Sequence, residues 1–400
     1  MSARRFALVA GGGTGGHVIP AVAVARQLSA RRGPTSVELV GSRRGLDSQL
    51  VRGTGLPVTL LPGRGFSRQA TPRGVMQNLS AFGQLVTAAV LAFAIVLRRR
   101  PAVVVAMGGY ACVPAAIAAA VMRVPVVLVN LDAVPGGANR LVGRFAGATA
   151  VAFEGTPLPR AVVTGAPVRQ EVSAASRPDA DARRNARLQL GIPPALRVIG
   201  AVGGSLGAKR LNEAVLGLAR IWAERSDVAI YHVVGNRDAK WAADRQSAVE
   251  DRILWYHQVT YEEQMPFFYQ AADVVVCRAG ANTVAELTVV GVPSVLVPLP
   301  GAPGDHQAAN AAMLTRTGAA VVLEDSECTA ERLAIELDRL LADPGLMESM
   351  RCAASDLGRP DALSAVVGVI EARARKSTGG FQERGGAVGA LHERRSGGAR

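Results

Sequence analysis

Aromatic residues and cysteines are scarce in this 400-residue sequence: Phe, Trp and Tyr make up 4% of it, and there are four cysteines. So few aromatic rings argue against a protein that binds single-stranded nucleic acid by stacking on its bases. No two cysteines form a C-x-x-C pair, which predicts reduced residues in the core of a cytosolic protein. The cysteines are Cys112, Cys277, Cys328 and Cys352.

Long apolar runs are also absent. The longest, residues 85–97, is 13 residues long, which is too few to cross a bilayer, and the apolar stretch within residues 1–9 is too short for a signal-peptide core. Arg98, Arg99 and Arg100 follow the longer run directly. This arrangement is typical of a helix lying in a membrane interface, and equally of a buried helix with cations at its C-terminus.

Acidic residues are few in the N-terminal half. Residues 1–200 contain 24 Lys and Arg against 7 Asp and Glu, whereas residues 201–400 contain 21 against 25. The net charge of +13 therefore comes from the N-terminal half. It predicts an anionic partner there, whether nucleic acid, a membrane surface or an acidic substrate. A compositional preference for arginine is the alternative explanation.

Apolar residues make up 49% of the chain, enough for two hydrophobic cores. Short apolar runs alternate with helical patterns, which indicates an α/β protein with two doubly wound parallel-sheet domains facing each other across a cleft. We expect an N-terminal domain at 1–165 and a C-terminal domain at 166–360, in which 166–197 form a linker and an entry helix. A helix at 361–375 is expected to return to the first domain, and 376–400 to be disordered.

Three glycine-rich turns follow predicted strands, at residues 10–17, 107–110 and 203–208. Each places backbone N–H groups at the start of a helix, where anions bind. The first also satisfies G-x-G-x-x-G, a dinucleotide-binding pattern. The second predicted strand ends without the carboxylate that would hold an NAD ribose, which leaves only an NADP site at Arg43 or Arg44. The three turns are distributed over both halves of the chain. This distribution fits a ligand site in a cleft between two domains better than a single dinucleotide site.

Two polar segments follow later strands, at residues 278–286 and 304–310. Glu286 is expected one turn inside a helix, where its carboxylate can accept both hydroxyls of a ribose. A first-turn glutamate is also favoured by the helix dipole alone, so this reading stays open. In the second segment Asp305, His306 and Gln307 offer hydrogen-bond partners for a sugar, although polar loops are common.

In these segments together, the sequence resembles the MurG family of bacterial peptidoglycan N-acetylglucosaminyltransferases, and the resemblance extends over residues 5–375. The resemblance implies the GT-B fold and an inverting transfer of GlcNAc from UDP-GlcNAc to undecaprenyl-pyrophosphoryl-MurNAc-pentapeptide (lipid I), which forms lipid II. The order and spacing of the matching strings together are specific. They lie at residues 12–17, 107–110, 165–169, 203–208, 278–286 and 305–310.

The resemblance also implies roles for individual residues. Arg169 and Ser205 would hold the donor diphosphate, Glu286 would hold the ribose, and the backbone near Glu262 would read the uracil edge. Further donor contacts are implied for Thr14, Gly15, Gly16, Asp132, Ala281, Asn282, Thr283 and Gln307, and acceptor or supporting roles for Tyr110, Asn139, Arg278 and His306.

The expected general base is His17, since a neutral imidazole is available near pH 7 to deprotonate the acceptor hydroxyl. Capping the helix or binding phosphate is its alternative role. Family members usually have His-Glu-Gln-Asn where this chain has Val129-Asn130-Leu131-Asp132. Asp132 replaces the Asn that contacts the donor sugar, so we expect it to share the base or orienting role.

No cofactor or protein-bound metal is expected, because helix N-termini and an arginine can stabilise the departing UDP. The only D-x-D pattern, Asp179-Ala180-Asp181, lies in the predicted linker and is interpreted as solvated loop.

The expected partners are UDP-GlcNAc, lipid I, anionic inner-leaflet phospholipids and cell-wall synthesis proteins, with no nucleic acid. The resemblance places the protein peripherally on the cytoplasmic face of the bacterial inner membrane. The remaining alternatives are a GT-B transferase for another acceptor, a UDP-GlcNAc epimerase and an NADP-binding oxidoreductase.

Overall fold

The structure, a computed structural model, describes residues 4–12, 15–43, 54–62, 72–246 and 253–374. Within these residues the strands form two sheets, one of seven and one of six strands. The first sheet consists of β1 (Ala7–Ala10), β2 (Val37–Ser42), β3 (Val58–Leu61), β4 (Val103–Ala106), β5 (Val126–Asn130), β6 (Ala148–Val151) and β7 (Ala161–Val163). The second consists of β8 (Arg197–Val202), β9 (Val228–Val233), β10 (Trp255–Val259), β11 (Val274–Cys277), β12 (Ser294–Leu296) and β13 (Ala320–Val322).

Helices connect the strands of both sheets. Those before β8 are α1 (Gly15–Arg32), α2 (Pro72–Arg99), α3 (Cys112–Val121), α4 (Gly137–Gly143), α5 (Gln170–Ala174) and α6 (Ala180–Gln189). Those after β8 are α7 (Lys209–Ile221), α8 (Ala239–Gln246), α9 (Met265–Ala271), α10 (Ala281–Val290), α11 (His306–Thr315), α12 (Ala330–Ala342), α13 (Pro344–Leu357) and α14 (Ala362–Arg373).

The strand order is the same in the two sheets up to their last strand. It runs β3-β2-β1-β4-β5-β6-β7 in the first and β10-β9-β8-β11-β12-β13 in the second, and neighbouring strands are parallel. The central strands are valine-rich and fully buried, as sheets covered by helices on both faces require. The predicted doubly wound α/β fold with two parallel sheets is therefore confirmed.

The order of strands reverses between β1 and β4 in the first sheet, and between β8 and β11 in the second. In open parallel sheets, ligands bind beyond the carboxyl ends of the strands at such a reversal. The glycine turns found in the sequence follow β1, β4 and β8. The fold thus brings the predicted anion-binding turns to the point where a ligand site is expected.

The final helix, α14, packs against the first sheet although it follows the second in sequence. Val366, Val367 and Ile370 are fully buried in the core cluster that contains β1 and β4. Glu371 forms ion pairs with Arg31 and Arg32 of α1 at 3.1 and 2.9 Å. The chain therefore crosses from the second sheet back to the first. The predicted tail at 376–400 lies outside the described residues.

Within 166–197, where a linker and an entry helix are predicted, the chain forms two helices, α5 and α6. Two other predictions were wrong in detail. Asp179 is the N-cap of α6, where its Oδ1 accepts a hydrogen bond from Ala182 N at 2.8 Å, rather than a solvated loop residue. Cys352 is exposed, whereas the other three cysteines are buried as predicted.

Helix α2 is apolar on two faces. Ala88, Ala92 and Val96 are buried against the first sheet, whereas the opposite face is exposed. Its exposed side chains include Val90, which is 64% exposed, and Phe93, which is 43% exposed. None of the described helices is long and apolar enough to cross a membrane. The sequence predicted either a buried helix or a helix lying in a membrane interface. A buried helix accounts for the face of α2 against the sheet, but not for its exposed apolar face.

Candidate active site between the two sheets

Two glycine turns of the first sheet meet at His17. Gly108 and Gly109, after β4, have φ values of +95° and +73°. A Cβ on Gly108 would lie 2.8 Å from both Cε1 and Nδ1 of His17, and one on Gly109 would lie 2.0 Å from the carbonyl oxygen of Gly12. Only glycine allows this contact, so the turn after β4 fixes the imidazole at the start of α1.

The other residues predicted around these turns lie nearby. Gly15 and Gly16 form the first turn of α1, and Tyr110 follows Gly109 directly, with its hydroxyl 2.9 Å from Ser42 Oγ. Thr14 lies outside the described residues.

A chain of amide side chains follows β5. Asn139 Nδ2 donates to Asn130 Oδ1 at 2.8 Å, and Asn130 Nδ2 donates to the carbonyl oxygen of Asp132 at 2.6 Å. Asn139 Oδ1 lies 3.3 Å from the position that a Cβ of Gly108 would occupy, next to the His17 ring. The structure thus brings Asn139 and His17 to the same glycine, Gly108, and connects Asn139 through Asn130 to the loop of Asp132.

The glycine turn after β8 is built for close approach of two backbones. Gly207 has φ of +95°, and a Cβ there would lie 2.5 Å from the carbonyl oxygen of Val234. Ser205 is exposed in this turn, and its carbonyl oxygen accepts a hydrogen bond from Asn236 N at 3.1 Å. The Ser205 hydroxyl therefore belongs to a turn that is held by the loop after β9.

Buried polar groups support this turn from beneath. Asn212 Nδ2 donates to the carbonyl oxygen of Val234 at 2.9 Å and to Asp238 Oδ2 at 3.0 Å. Its Oδ1 lies 3.0 Å from Nε2 of His232, which is fully buried. Burial lowers the pKa of His232 to about 3, so the imidazole is neutral under ordinary conditions.

Arg169 and Glu286 form an ion pair rather than two separate contacts. Arg169 Nη2 lies 3.2 Å from Glu286 Oε1, and the Tyr269 hydroxyl donates to Glu286 Oε2 at 2.9 Å. Burial raises the pKa of Glu286, and the Arg169 charge offsets this effect only in part. Burial lowers the pKa of Arg169, but the Glu286 carboxylate more than compensates, so the pKa lies above its ordinary value.

Helix α10 begins at the cleft. Its N-cap, Gly280, has extended backbone geometry, and Ala281, Asn282 and Thr283 form its half-buried first turn. Ala281 packs against the core cluster of the first sheet. The N-terminus of α10 therefore lies against the first domain, with its backbone N–H groups at the same boundary as the glycine turns.

Helix α11 carries two of the other predicted residues, His306 and Gln307, in its half-buried first turn. Gln307 Oε1 accepts a hydrogen bond from the backbone N–H of Leu299 at 2.9 Å. Asp305, before the helix, has φ of +52°, a left-handed conformation that is uncommon for aspartate. The backbone thus turns sharply to start α11 at this position.

The side chains of Glu262 and Arg278 are held by the second domain. Glu262 accepts hydrogen bonds from the Tyr231 hydroxyl at 2.5 Å and from Gln264 N at 2.6 Å, which leaves its backbone for the predicted uracil contact. Arg278 donates to the carbonyl oxygen of Val297 at 3.1 Å and pairs with Asp325 at 2.6 Å. The Arg278 contacts join the ends of neighbouring strands.

A recess of about 1130 Å³ separates α1 from α5 and α9. Ile19 and Arg26 of α1 line one wall, and Arg169, Tyr261 and Phe267 line the other. Arg169 therefore shares a concave space with Tyr261, next to the loop predicted to read the uracil. Within the described ranges, no group of three or more His, Cys, Asp or Glu side chains is arranged to hold a metal ion.

Sequence reasoning missed three residues of this site. Tyr269 lies in the apolar helix α9, and nothing in its neighbourhood indicates that its hydroxyl meets Glu286. Asn130 ends a strand, and its position in the departure from the family pattern was the available signal. Asn310 was included in a polar string but given no role; its contacts come from residues 177 and 178 positions away.

Comparisons with known proteins agree with this geometry. Residues 7–151 match the family model of the glycosyltransferase family 28 N-terminal domain, and residues 198–365 match that of the C-terminal domain. A relative from Alkalilimnicola ehrlichii, named UDP-N-acetylglucosamine–N-acetylmuramyl-(pentapeptide) pyrophosphoryl-undecaprenol N-acetylglucosamine transferase, is 40% identical. That match covers 92% of this chain and 99% of the relative.

Solved structures give the same result. The crystal structure of Acinetobacter baumannii MurG matches with a TM-score of 0.71 and 31% identity, covering 92% of this chain and 98% of the other. The UDP-GlcNAc 2-epimerase of Neisseria meningitidis matches with a TM-score of 0.61 over 92% of this chain and 99% of the other. At 13% identity, that likeness shows the fold alone. From the family models, the relative and the MurG structure, we conclude that the chain belongs to the MurG family of glycosyltransferase family 28.

Proposed function

We propose that this protein transfers N-acetylglucosamine from UDP-GlcNAc to the MurNAc 4-hydroxyl of lipid I and so forms lipid II. The observation that carries the proposal is that Arg169, paired with Glu286, shares a recess between the domains with α1, the helix of the first domain that carries His17. The relatives are named for this transfer, and the site contains the groups that the reaction needs.

In this mechanism His17 takes the proton of the acceptor hydroxyl, whose oxygen attacks the anomeric carbon of the donor sugar. The bond from that carbon to the UDP oxygen breaks, so the configuration inverts and UDP leaves with its negative charge. The N-termini of α1, α7 and α10 follow the strands at this edge and stabilise that charge. We assign no metal ion to the reaction, because these dipoles and Arg169 supply the positive potential.

The donor is held mainly by the second domain. Ser205 binds the diphosphate in its glycine turn, and Glu286 binds the ribose. Because Glu286 already accepts from Arg169 and Tyr269, donor binding rearranges this cluster and directs Arg169 toward the nucleotide. Further donor contacts come from the backbone near Glu262 and from Thr14, Gly15, Gly16, Ala281, Asn282, Thr283 and Gln307; Tyr110, Asn139, Arg278 and His306 support the acceptor side.

The first domain is the part that meets the membrane. Exposed apolar side chains of α2 continue onto α3, where Val121 is 68% exposed, and toward Phe145 after α4. The first domain also exposes arginines at positions 98, 100, 123 and 144. An apolar face on a domain with exposed cations suits an anionic lipid surface, so we place the protein peripherally on the cytoplasmic face of the inner membrane.

The alternatives explain less. An epimerase shares the fold, but the relatives above 30% identity are named as transferases. An NADP-dependent oxidoreductase would use only the first glycine turn and would leave the second-domain cluster without a role.

The test is incubation of the purified protein with UDP-GlcNAc and a lipid I analogue. We expect a lipid-linked disaccharide and one UDP per product. Release of UDP without transfer would contradict the proposal. So would the appearance of UDP-N-acetylmannosamine, which an epimerase would form from UDP-GlcNAc.

A further inference from the structure

Asn310 of α11 is fully buried and makes hydrogen bonds in two domains. Its Nδ2 donates to Asp132 Oδ1 at 3.0 Å and to the carbonyl oxygen of Ala279 at 3.2 Å. Its Oδ1 accepts from the backbone N–H of Ala133 at 2.9 Å. Ala279 belongs to the second domain, but Asp132 and Ala133 belong to the first. One hydrogen and the oxygen of this amide thus reach the first domain, while its other hydrogen bonds within its own domain.

The loop that Asn310 holds is tied by hydrogen bonds to Asn139, which lies beside the glycine that contacts the candidate base. Asn130, fully buried, donates to the carbonyl oxygen of Asp132, and Asn139, 5% exposed, donates to Asn130. Asn139 Oδ1 then lies next to the His17 ring at Gly108. Hydrogen bonds therefore run from α11 of the donor domain as far as Asn139, and both Asn139 and the His17 ring lie beside Gly108.

We propose that Asn310 and Asp132 form a latch between the domains and act as positioning residues for the transfer. The latch sets the distance between the donor, held by the second domain, and His17, held by the first, through Asn130 and Asn139. Neither latch residue takes the proton. The carboxylate that replaces the family's asparagine at position 132 serves as a hydrogen-bond acceptor for Asn310. The kinetic consequences rest on the proposed transferase activity, whereas the latch itself does not.

Amide hydrogen exchange at Ala133 tests the latch without any substrate. We expect Asn310→Ala to accelerate exchange of this amide about tenfold, as loss of one hydrogen bond does. Thr315→Ala is the matched control on the same helix, because the Thr315 hydroxyl donates to the carbonyl oxygen of Ala311 within α11, and it should leave Ala133 unchanged. Equal exchange in wild type and Asn310→Ala would overturn the latch.

Asp132 variants give a second test that leaves α11 intact. Asp132→Ala removes the acceptor of Asn310 Nδ2, so the side-chain amide protons of Asn310 should exchange faster. Asp132→Asn keeps an oxygen acceptor and should restore slow exchange. If both variants behave like wild type, Asp132 does not hold Asn310 and the proposal fails.

A double-mutant cycle tests the consequence for catalysis. We expect Asp132→Ala and Asn310→Ala each to lower kcat about tenfold, with UDP affinity within twofold of wild type. The double variant should be no slower than either single one, because both break the same latch. Additive losses would contradict the proposal. If Asp132 were the general base, Asp132→Asn would abolish the pH dependence of kcat. If Asp132 acts only in the latch, this variant keeps the pH dependence of wild type.

Should the wild type show no transfer at all, the proposed function fails, and the exchange measurements still decide the latch.

Discussion

His17 approaches the cleft through a contact that only glycine permits, since its ring lies against the backbone of Gly108. The sequence predicted this residue from its place in the first glycine turn. It did not predict that Gly108 contacts the ring or that Asn139 lies beside Gly108, because these residues are about 90 to 120 positions away from His17 and come near it only in the folded chain. The local sequence pattern therefore predicts the candidate base, but it does not predict the distant residues that surround it.

Replacing His17 tests the residue assigned to proton transfer. We expect His17→Ala to lower kcat by about 10²–10⁴-fold, the range typical of a lost general base. UDP affinity should stay close to that of wild type, because the donor is held mainly by the second domain. Steady-state transfer assays and calorimetric titration with UDP measure the two quantities. A large loss of UDP affinity with unchanged kcat would instead assign His17 to phosphate binding.

Among the elements, the strands at the centre of each sheet and the glycine turns were predictable. They combine a run of valines with an abrupt change to glycine, and both signals are local. Strands β7 and β13, at sheet edges, have only three residues each and partly exposed patterns, so they lack such a signal. One helix was predicted between residues 166 and 197 but its bounds were not, because α5 and α6 are polar and contain few apolar residues at helical spacing.

Helix α2 carries a prediction about membrane binding. We expect Val90→Ser with Phe93→Ser to weaken binding to anionic vesicles about tenfold, because two exposed apolar side chains no longer insert. Ile335→Ser is the matched control, since this residue is 60% exposed on α12 of the second domain. Co-sedimentation measures the binding. If the control weakens it as much as the α2 variant, the membrane surface lies elsewhere.

His232 of β9, beneath the Ser205 turn, leads to a prediction about how the stability of the fold depends on pH. Because burial lowers the pKa of His232 from 6.5 to about 3, the unfolded state binds the extra proton first as the solution is acidified. This residue therefore stabilises the fold above pH 6.5, and that contribution falls by up to about 1.4 kcal/mol per unit between pH 6.5 and 3.

We expect His232→Gln to flatten the decline of unfolding free energy between pH 7 and 5, as measured by urea denaturation. His257→Gln, at an exposed position of β10, should keep the wild-type slope. A steep decline in both variants would show that other groups cause the acid sensitivity.

At the scale of the whole molecule, the two-domain plan and the position of the charge follow from the sequence. Residues 1–165 contain 18 basic and 4 acidic residues, a balance of +14 that exceeds the +13 of the whole chain. The structure adds an exposed apolar face to this basic part. Contacts across the domain boundary, such as those of Asn310, were not predictable, because no local pattern encodes which residues meet when two sheets pack together.

The central claim, inverting transfer of GlcNAc to lipid I, is tested most directly by the linkage in the product. The purified protein is incubated with UDP-GlcNAc and a lipid I analogue, and the anomeric proton of the transferred sugar is examined by NMR. We expect a β-1,4 bond to MurNAc, formed by the wild type and strongly reduced in His17→Ala. An α-linked product, or a sugar attached at another hydroxyl, would contradict it.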